Sequence, residues 1–310
     1  MSTDRQWIKI GTRGSKLALW QANWVKGRLE DRNPDLSIEL VVIKTSGDKI
    51  LDVPLAAIGG KGLFVKEIEE ALMDGRIDLA VHSMKDMPAD LPEGLIIGAV
   101  PERESPFDAL ISNSGVRFQT LPQGASMGTS SLRRAAQIKH LRPDITIVPL
   151  RGNIDTRLAK LERGEMAAII LAAAGLTRLG LAEKITECLN ETIMLPAVAQ
   201  GALCIETRHN DPVVDNLVGT IDHSATHTAV IAERAFLKRL EGGCQVPIAA
   251  LAKIDGDYLS MAGLVADVDG SVVFRQQISG STGDAVTLGT ELAERLLGQG
   301  ADEILKKLMA

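Results

Sequence analysis

Apolar positions along this chain alternate between short continuous runs and longer stretches that repeat about every 3.6 residues, the strand and helix signatures respectively. Residues 7–11 read as a strand. Across residues 15–31, Leu17, Leu19, Trp20, Trp24, Val25 and Leu29 recur at helical spacing. Residues 37–44 form a strand with β-branched content, 63–74 a helix closed by Gly75, and 79–82 and 96–100 two further strands. The rhythm restarts after the polar joint Pro101-Glu102-Arg103-Glu104-Ser105-Pro106. Strands are predicted at 108–111, 126–128, 146–149 and 167–172, helices at 131–140 and 154–163, and a short helix or turn at 175–180. Strand and helix in alternation predict a mostly parallel sheet. The first two thirds therefore read as two α/β lobes of a cleft protein. The last third changes character. An amphipathic helix over 224–241, with Ser224 as its N-cap and Gly242 as its stop, precedes three strands at 248–254, 258–265 and 271–279. Asp-Gly turns join these strands, and helices over 284–297 and at the chain's end follow, as in a separate α+β domain.

Composition narrows the function. At 45% hydrophobic and 24% charged residues, the chain is that of a globular protein and not of a disordered or low-complexity one. Its three cysteines, at 188, 204 and 244, are odd in number and widely spaced, which argues against a disulfide framework and for a reducing compartment. No apolar run approaches the roughly 20 residues of a membrane span, and the start shows no secretory pattern, so the expected location is cytoplasmic, with no membrane partner. A net charge of -6 and 3% aromatics argue against nucleic acid as partner. Charge is uneven, however: residues 129–163 carry eight Lys and Arg against three acids. A local basic segment in an acidic chain suggests a small anionic ligand.

Two corners where a strand turns into a helix attract attention: Gly11-Thr12-Arg13-Gly14-Ser15 and Gly128-Thr129-Ser130-Ser131-Leu132-Arg133-Arg134. Free amides at a helix start, hydroxyls and guanidinium groups together bind carboxylate or phosphate. Either corner alone fits plain helix capping equally well; two matching corners, one per lobe, favour a shared anionic ligand. Gly59-Gly60-Lys61-Gly62 lacks the Ser or Thr that a Walker loop needs after its Lys. His82-Ser83-Met84-Lys85-Asp86 follows a buried strand, at the end where open α/β sheets bind ligands. Asp86 there suits general acid work or stabilisation of a developing cation, against the alternative of a turn in which it pairs with Lys85. His223 and His227 are four apart but have no third ligand at suitable spacing, so no metal is expected. Cys244 lies just past a helix end, which disfavours a thiolate. Its glycine neighbours leave room for a bulky attachment, with a buried structural cysteine as the alternative.

Taken in order, these segments resemble the porphobilinogen deaminase (hydroxymethylbilane synthase) family. The matching stretches are Gly11-Thr12-Arg13 with Leu17-Ala18-Leu19-Trp20-Gln21, Gly60-Lys61-Gly62-Leu63-Phe64, Val81-His82-Ser83-Met84-Lys85-Asp86, Gly128 to Arg134, Arg151-Gly152-Asn153 and Gly242-Gly243-Cys244. The resemblance implies two lobes like those of periplasmic binding proteins plus a small C-terminal α+β domain. Domain 1 would comprise residues 1–101 and 202–219, domain 2 residues 107–195, and domain 3 residues 224–310. It implies a transferase of tetrapyrrole (haem) biosynthesis that condenses four porphobilinogen molecules into hydroxymethylbilane and releases ammonia at each step. The cofactor would be dipyrromethane, joined through a thioether to Cys244. Asp86 would be the catalytic carboxylate, stabilising the azafulvene cation. Lys85, Ser83, Thr129, Ser131, Arg133, Arg134 and Arg157 would hold the cofactor, and Arg13, Ser15, Arg151, Arg178 and Lys61 the substrate. Ala57 stands where some members carry Lys in the mobile loop. The family is expected to be monomeric. A two-lobed protein that only binds small anions would explain the corners and the arginines, but not Asp86 and Cys244 together; a nucleic-acid-binding module ranks third.

Overall fold

The computed structural model describes residues 7–49, 65–241 and 246–309. Ala57, Lys61 and the surrounding glycine-rich segment lie outside them, as do Cys244, its flanking glycines and the proposed helix stop Gly242. The chain divides into two compact units, Met1–Glu104 with Ala202–His227, and Ser105–Gly201 with Thr228–Ala310.

The first unit is built on a five-stranded sheet. Its strands are β1 (Trp7–Thr12), β2 (Ser37–Val42), β3 (Leu79–Ser83), β4 (Leu95–Ala99) and β10 (Leu203–Arg208), in the order β2-β1-β3-β10-β4. β1 runs parallel to β2 and β3, while β10 is antiparallel to both its neighbours. The expectation of a mostly parallel sheet thus acquires one reversed strand, which no hydrophobic pattern had marked. On one face Ile8, Ile10, Leu79, Val81 and Ile205 pack against α1 (Lys16–Arg32) and α6 (Pro212–Gly219). On the other, Ala80 meets Ile68, Ala71 and Leu72 of α2 (Lys66–Met73). Burial on both faces is why these strands read as continuous apolar runs.

The second unit repeats the plan. Its larger sheet has the order β7-β6-β8-β5-β9 and comprises β5 (Asp108–Ser112), β6 (Ser126–Gly128), β7 (Thr146–Val148), β8 (Ala168–Ala172) and β9 (Glu187–Leu189). β6 is parallel to β7 and β8, and β5 is antiparallel to β8 and β9. Helices α3 (Leu132–Leu141), α4 (Ile154–Glu162) and α5 (Ala173–Arg178) accompany it. A three-stranded antiparallel meander of β11 (Ile248–Asp255), β12 (Tyr258–Ala266) and β13 (Val273–Ser281) packs with α7 (Ser224–Arg239) and α8 (Ala285–Leu296), and α9 (Asp302–Met309) ends the chain. Ala136 and Leu195 share one apolar cluster with Leu251 and Leu264, so the meander is seated directly on α3. Gly263 lets the meander pack closely against α7, since a Cβ there would lie 2.7 Å from the buried ring of Phe236.

Two polar details correct the expected helix ends. Ser224 is the first residue of α7, and the cap is His223, whose Nδ1 accepts from the Thr226 amide at 3.3 Å. His227 instead meets Asp222 Oδ1 at 2.8 Å. Inside α7, the fully buried Glu233 accepts from the amides of Ala199 and Ala252, and Ala199 is a non-glycine residue held at a φ of 57°. Replacing Glu233 by Ala strands two buried amides. We expect it to lower unfolding free energy by about 3 kcal/mol or more, measured by urea denaturation.

Candidate functional site

In the first unit, β1 ends in Thr12 and the chain turns at Arg13 and Gly14 into α1. Ser15 caps that helix, its Oγ accepting from the Ala18 amide at 3.2 Å. A hydroxyl that accepts still has its own proton to donate. Thr12, fully buried, locks the corner by donating to the Ala18 carbonyl at 3.2 Å. β3 delivers the second half of the site. After Ser83 the chain makes a single tight turn, Met84–Asp86. Met84 and Met87 are buried, and the Met84 amide donates to the Ala202 carbonyl at 3.0 Å, so the turn is pinned at both ends. Ser83, Lys85 and Asp86 are left half-exposed between these anchors. The buried Gln21 of α1 donates to Ser83 Oγ at 2.9 Å and joins the two halves. Arg13, Ser15, Gln21, Ser83 and Asp86 line a single pocket.

In the second unit, the corresponding corner lies between β6 and α3. A Cβ on Gly128 would run into Met166, Ile169 and Leu150, so the strand end admits only glycine. Ser131 caps α3, its Oγ accepting from the Arg134 amide at 3.4 Å, and the buried Thr129 accepts from the Ser131 amide through Oγ1. Ser130 clasps Leu150 by a pair of hydrogen bonds, 3.1 Å to its carbonyl and 3.0 Å from its amide, which fixes the chain where Arg151 follows. Gly152 adopts a φ of +108°, a conformation closed to most side chains, and its carbonyl accepts from Arg157 Nε at 2.8 Å. Asn153 then caps α4.

Arg133 and Arg134 point inward. Arg133 Nη1 is 2.7 Å from Asp108 Oδ2, and Arg134 Nη2 is 2.7 Å from Asp108 Oδ1, with all three side chains buried. Further bonds from Arg133 to the Leu195 carbonyl and from Arg134 to the Ile170 carbonyl complete the knot. Burial works to raise the Asp108 carboxyl, but the two guanidinium groups outweigh it and hold the group well below the usual carboxylate range. Two cations against one anion leave a surplus. It is felt at half-buried Arg157, whose guanidinium is pushed down to about 10 by burial and then by Arg134 and Arg151. A cluster of positive charge in partial burial is an electrostatic invitation to carboxylates. Arg178 is buried and donates to the Gly201 carbonyl at 2.7 Å.

Thus Arg13, Ser15, Ser83 and Asp86 share one pocket, and Thr129, Ser131, Arg134, Arg151 and Arg157 gather around the α3 and α4 starts. Sequence reasoning gave no role to Asp108, Gln21 or Ser130. For Asp108 a signal existed, an acid opening an otherwise buried strand. Cys204 is buried in β10, while the thiol of exposed Cys188 is raised by partial burial and by Glu187. Among the described residues no cluster of three metal-ligating side chains occurs.

A family model described as "Porphobilinogen deaminase, dipyromethane cofactor binding domain" matches residues 8–216, and one for the porphobilinogen deaminase C-terminal domain matches residues 227–298. The porphobilinogen deaminase of Syntrophotalea carbinolica is 56% identical over 97% of this chain and 96% of its own. That of Geobacter metallireducens is 56% identical over 97% of this chain and 94% of its own. Among solved structures, the Bordetella pertussis BvgS VFT2 domain is 14% identical over 70% of this chain and 87% of its own, with a TM-score of 0.41. The periplasmic aliphatic sulphonate binding protein of Escherichia coli is 16% identical over 77% of this chain and 71% of its own, with a TM-score of 0.40.

Asp108→Asn removes the anion between two buried cations. We expect a loss of about 3–5 kcal/mol at neutral pH, read by chemical denaturation. Because the folded carboxyl lies below its ordinary 3.8, its contribution is full above that value and disappears as pH falls through the lower folded one. The variant should therefore show a shallower loss of stability in acid than the parent chain.

Proposed function

The chain belongs to the porphobilinogen deaminase family, and on that premise we infer how its residues divide the work. The activity is the head-to-tail condensation of four porphobilinogen molecules into linear hydroxymethylbilane, with release of ammonia at each step, in tetrapyrrole biosynthesis. The cofactor, dipyrromethane, supplies the free pyrrole carbon from which the chain of rings grows.

The observation that carries the assignment of roles is the pocket holding Asp86 beside Arg13 and Ser15. Departure of the aminomethyl nitrogen as ammonia leaves a cation on the substrate. Asp86 stabilises that cation and accepts a hydrogen bond from the pyrrole N–H, because among the described residues it is the one carboxylate lining this pocket. Arg13 and the Ser15 hydroxyl take a substrate carboxylate, while Lys85 and Ser83, close to Asp86 in sequence, offer the cofactor a cation and a hydroxyl. The cations at Arg134, Arg151 and Arg157 fit a cofactor and product that carry an acetate and a propionate on every ring, and the repulsion that Arg134 and Arg151 add to burial in lowering the Arg157 guanidinium supports that reading. Arg133, engaged with Asp108, supports the corner from within, as do Thr129 and Ser131 at the helix start. Arg178 and Lys61 are assigned to the substrate on family resemblance. Cys244 is assigned as the thioether anchor by its Gly242-Gly243-Cys244 match.

The odd number and wide spacing of the three cysteines support a reducing, cytoplasmic location, and no described helix is long and apolar enough to cross a membrane. A monomer is the state we propose, on the same resemblance.

Asp86→Asn should fold normally and lose turnover by about 100-fold or more, checked by product formation per folded molecule. Unchanged turnover would remove Asp86 from the reaction. The intact mass of the denatured protein tests the anchor. An excess equal to a dipyrrole should map to the peptide with Cys244 and be missing from Cys244→Ser; a variant that kept it would refute the assignment.

A further inference from the structure

Behind the Asp86 pocket lies a group of ionisable side chains that the reading above does not use. His82, next to last in β3, places Nε2 3.0 Å from Glu206 Oε2 on β10, and the two side chains are 3% and 0% exposed. In the antiparallel register His82 stands opposite Cys204 and Glu206 opposite Ala80, so the pair spans one diagonal of the ladder. Glu69 is buried on the inner side of α2, the helix that covers Ala80. Burial and then Glu206 push its carboxyl up to about 7, Glu70 adds to the rise, and His82 opposes it. Glu69 Oε1 and Glu206 Oε1 are both buried without a hydrogen-bond partner. Burying two acids beside one imidazole is costly unless their polar atoms satisfy one another.

This group is tied to the site by chain geometry. The His82 side is part of the wall of the pocket that holds Asp86, and only the Ser83 link separates it from the Met84–Asp86 turn. Holding the ring through Nε2 holds the last residues of β3.

We propose that Glu69, His82 and Glu206 form one proton-sharing unit in which the two glutamates are positioning residues, fixing His82 and through it the turn that presents Asp86. The inference rests on the role given to Asp86 above. Other charged groups on the surrounding elements are engaged or turned away. Glu67 accepts from the Ser46 amide and hydroxyl, and Glu70 is exposed. Arg208 of β10 bonds the Leu72 and Ile77 carbonyls and pairs with Asp78 and Asp211. On β1, the Lys9 amide donates to Asp78, and on β10 the residue directly opposite His82 in register is Cys204.

The sign of the pH effect is fixed by the raised carboxyl. Folded Glu69 keeps its proton longer than the unfolded chain does, so stability falls as pH rises from 4.5 to about 7 and is level beyond. Cofactor-loaded parent, Glu69→Gln and Glu206→Gln proteins are compared by kcat and KM across this range and by NMR titration of the five histidines. Glu206→Gln should lower kcat about tenfold or more with KM changed less than about twofold. Glu69→Gln should erase the inflection near 7 from both the kcat profile and the His82 ring shifts. If Glu206→Gln does not fold, the His82 titration in the parent and Glu69→Gln decides alone. Parent-like pH profiles and His82 shifts in Glu69→Gln overturn the proposal, as does a fall in melting temperature with kcat per folded molecule unchanged. An active Asp86→Asn would instead sink the underlying reading; an inactive Asp86→Asn beside parent-like glutamate variants sinks this proposal alone.

Discussion

The second unit is organised around one carboxylate. Asp108 opens β5 with no exposure to solvent and is met by the guanidinium groups of Arg133 and Arg134. Both arginines lie in the first turn of α3, which carries no acid of its own and where the helix dipole disfavours cations. Asp108 supplies from a strand the anion that the helix start lacks. The same knot gathers the chain that follows β9. Leu195 accepts from Arg133 and Gln137, while Gln200 donates to Asp108 Oδ1 and the Pro106 carbonyl. Breaking this pair would release a sheet edge, a helix start and a connecting segment at once. Such a buried ion group contributes less to net stability than to the uniqueness of the arrangement, since apolar packing could fill the same volume.

Its second consequence is electrostatic. One anion does not neutralise two cations, and Arg151 and Arg157 add to the excess. The corner is therefore pre-charged for carboxylates before any ligand arrives, and the reorganisation that binding would otherwise require is built into the fold. The first unit solves a different problem. There Met84 and Met87 sink on either side of Asp86, a backbone bond from Met84 to Ala202 pins the turn, and the Gln21 side chain donates to the Ser83 hydroxyl.

Much of this was legible in the sequence. Strands buried on both faces announced themselves as apolar runs, and Gly75 and Gly164 stand at positive φ directly after the helices predicted over 63–74 and 154–163. The corners of Ser15 and Ser131 were readable because capping is local chemistry, confined to three or four residues. Arg133 and Arg134 were readable as important but not as inward-facing, because their partner lies some 25 residues away across a sheet and no local pattern encodes such a contact. α6 and β9 escaped for a plainer reason: each is short, and neighbouring loops share its composition.

β10 escaped for a reason that bears on function. Leu203–Arg208 is a strand with five of six residues buried, yet it contains Glu206 and Thr207, which an apolar-run criterion rejects. A threonine hydroxyl and a glutamate in a two-sided core are local choices at odds with the fold. Without His82, Glu206 would be a fully buried acid with neither carboxyl oxygen partnered, at a cost in desolvation. His82 reduces that cost only in part, because Glu206 Oε1 and Thr207 Oγ1 remain buried without partners and Glu69 stands nearby as a second acid. If stability were the sole constraint, an apolar side chain at position 206 would serve it better. An acid there, opposite Ala80 and diagonal to the His82 that precedes the last residue of β3, is the physical argument that β10 supports the end of β3 as well as the sheet.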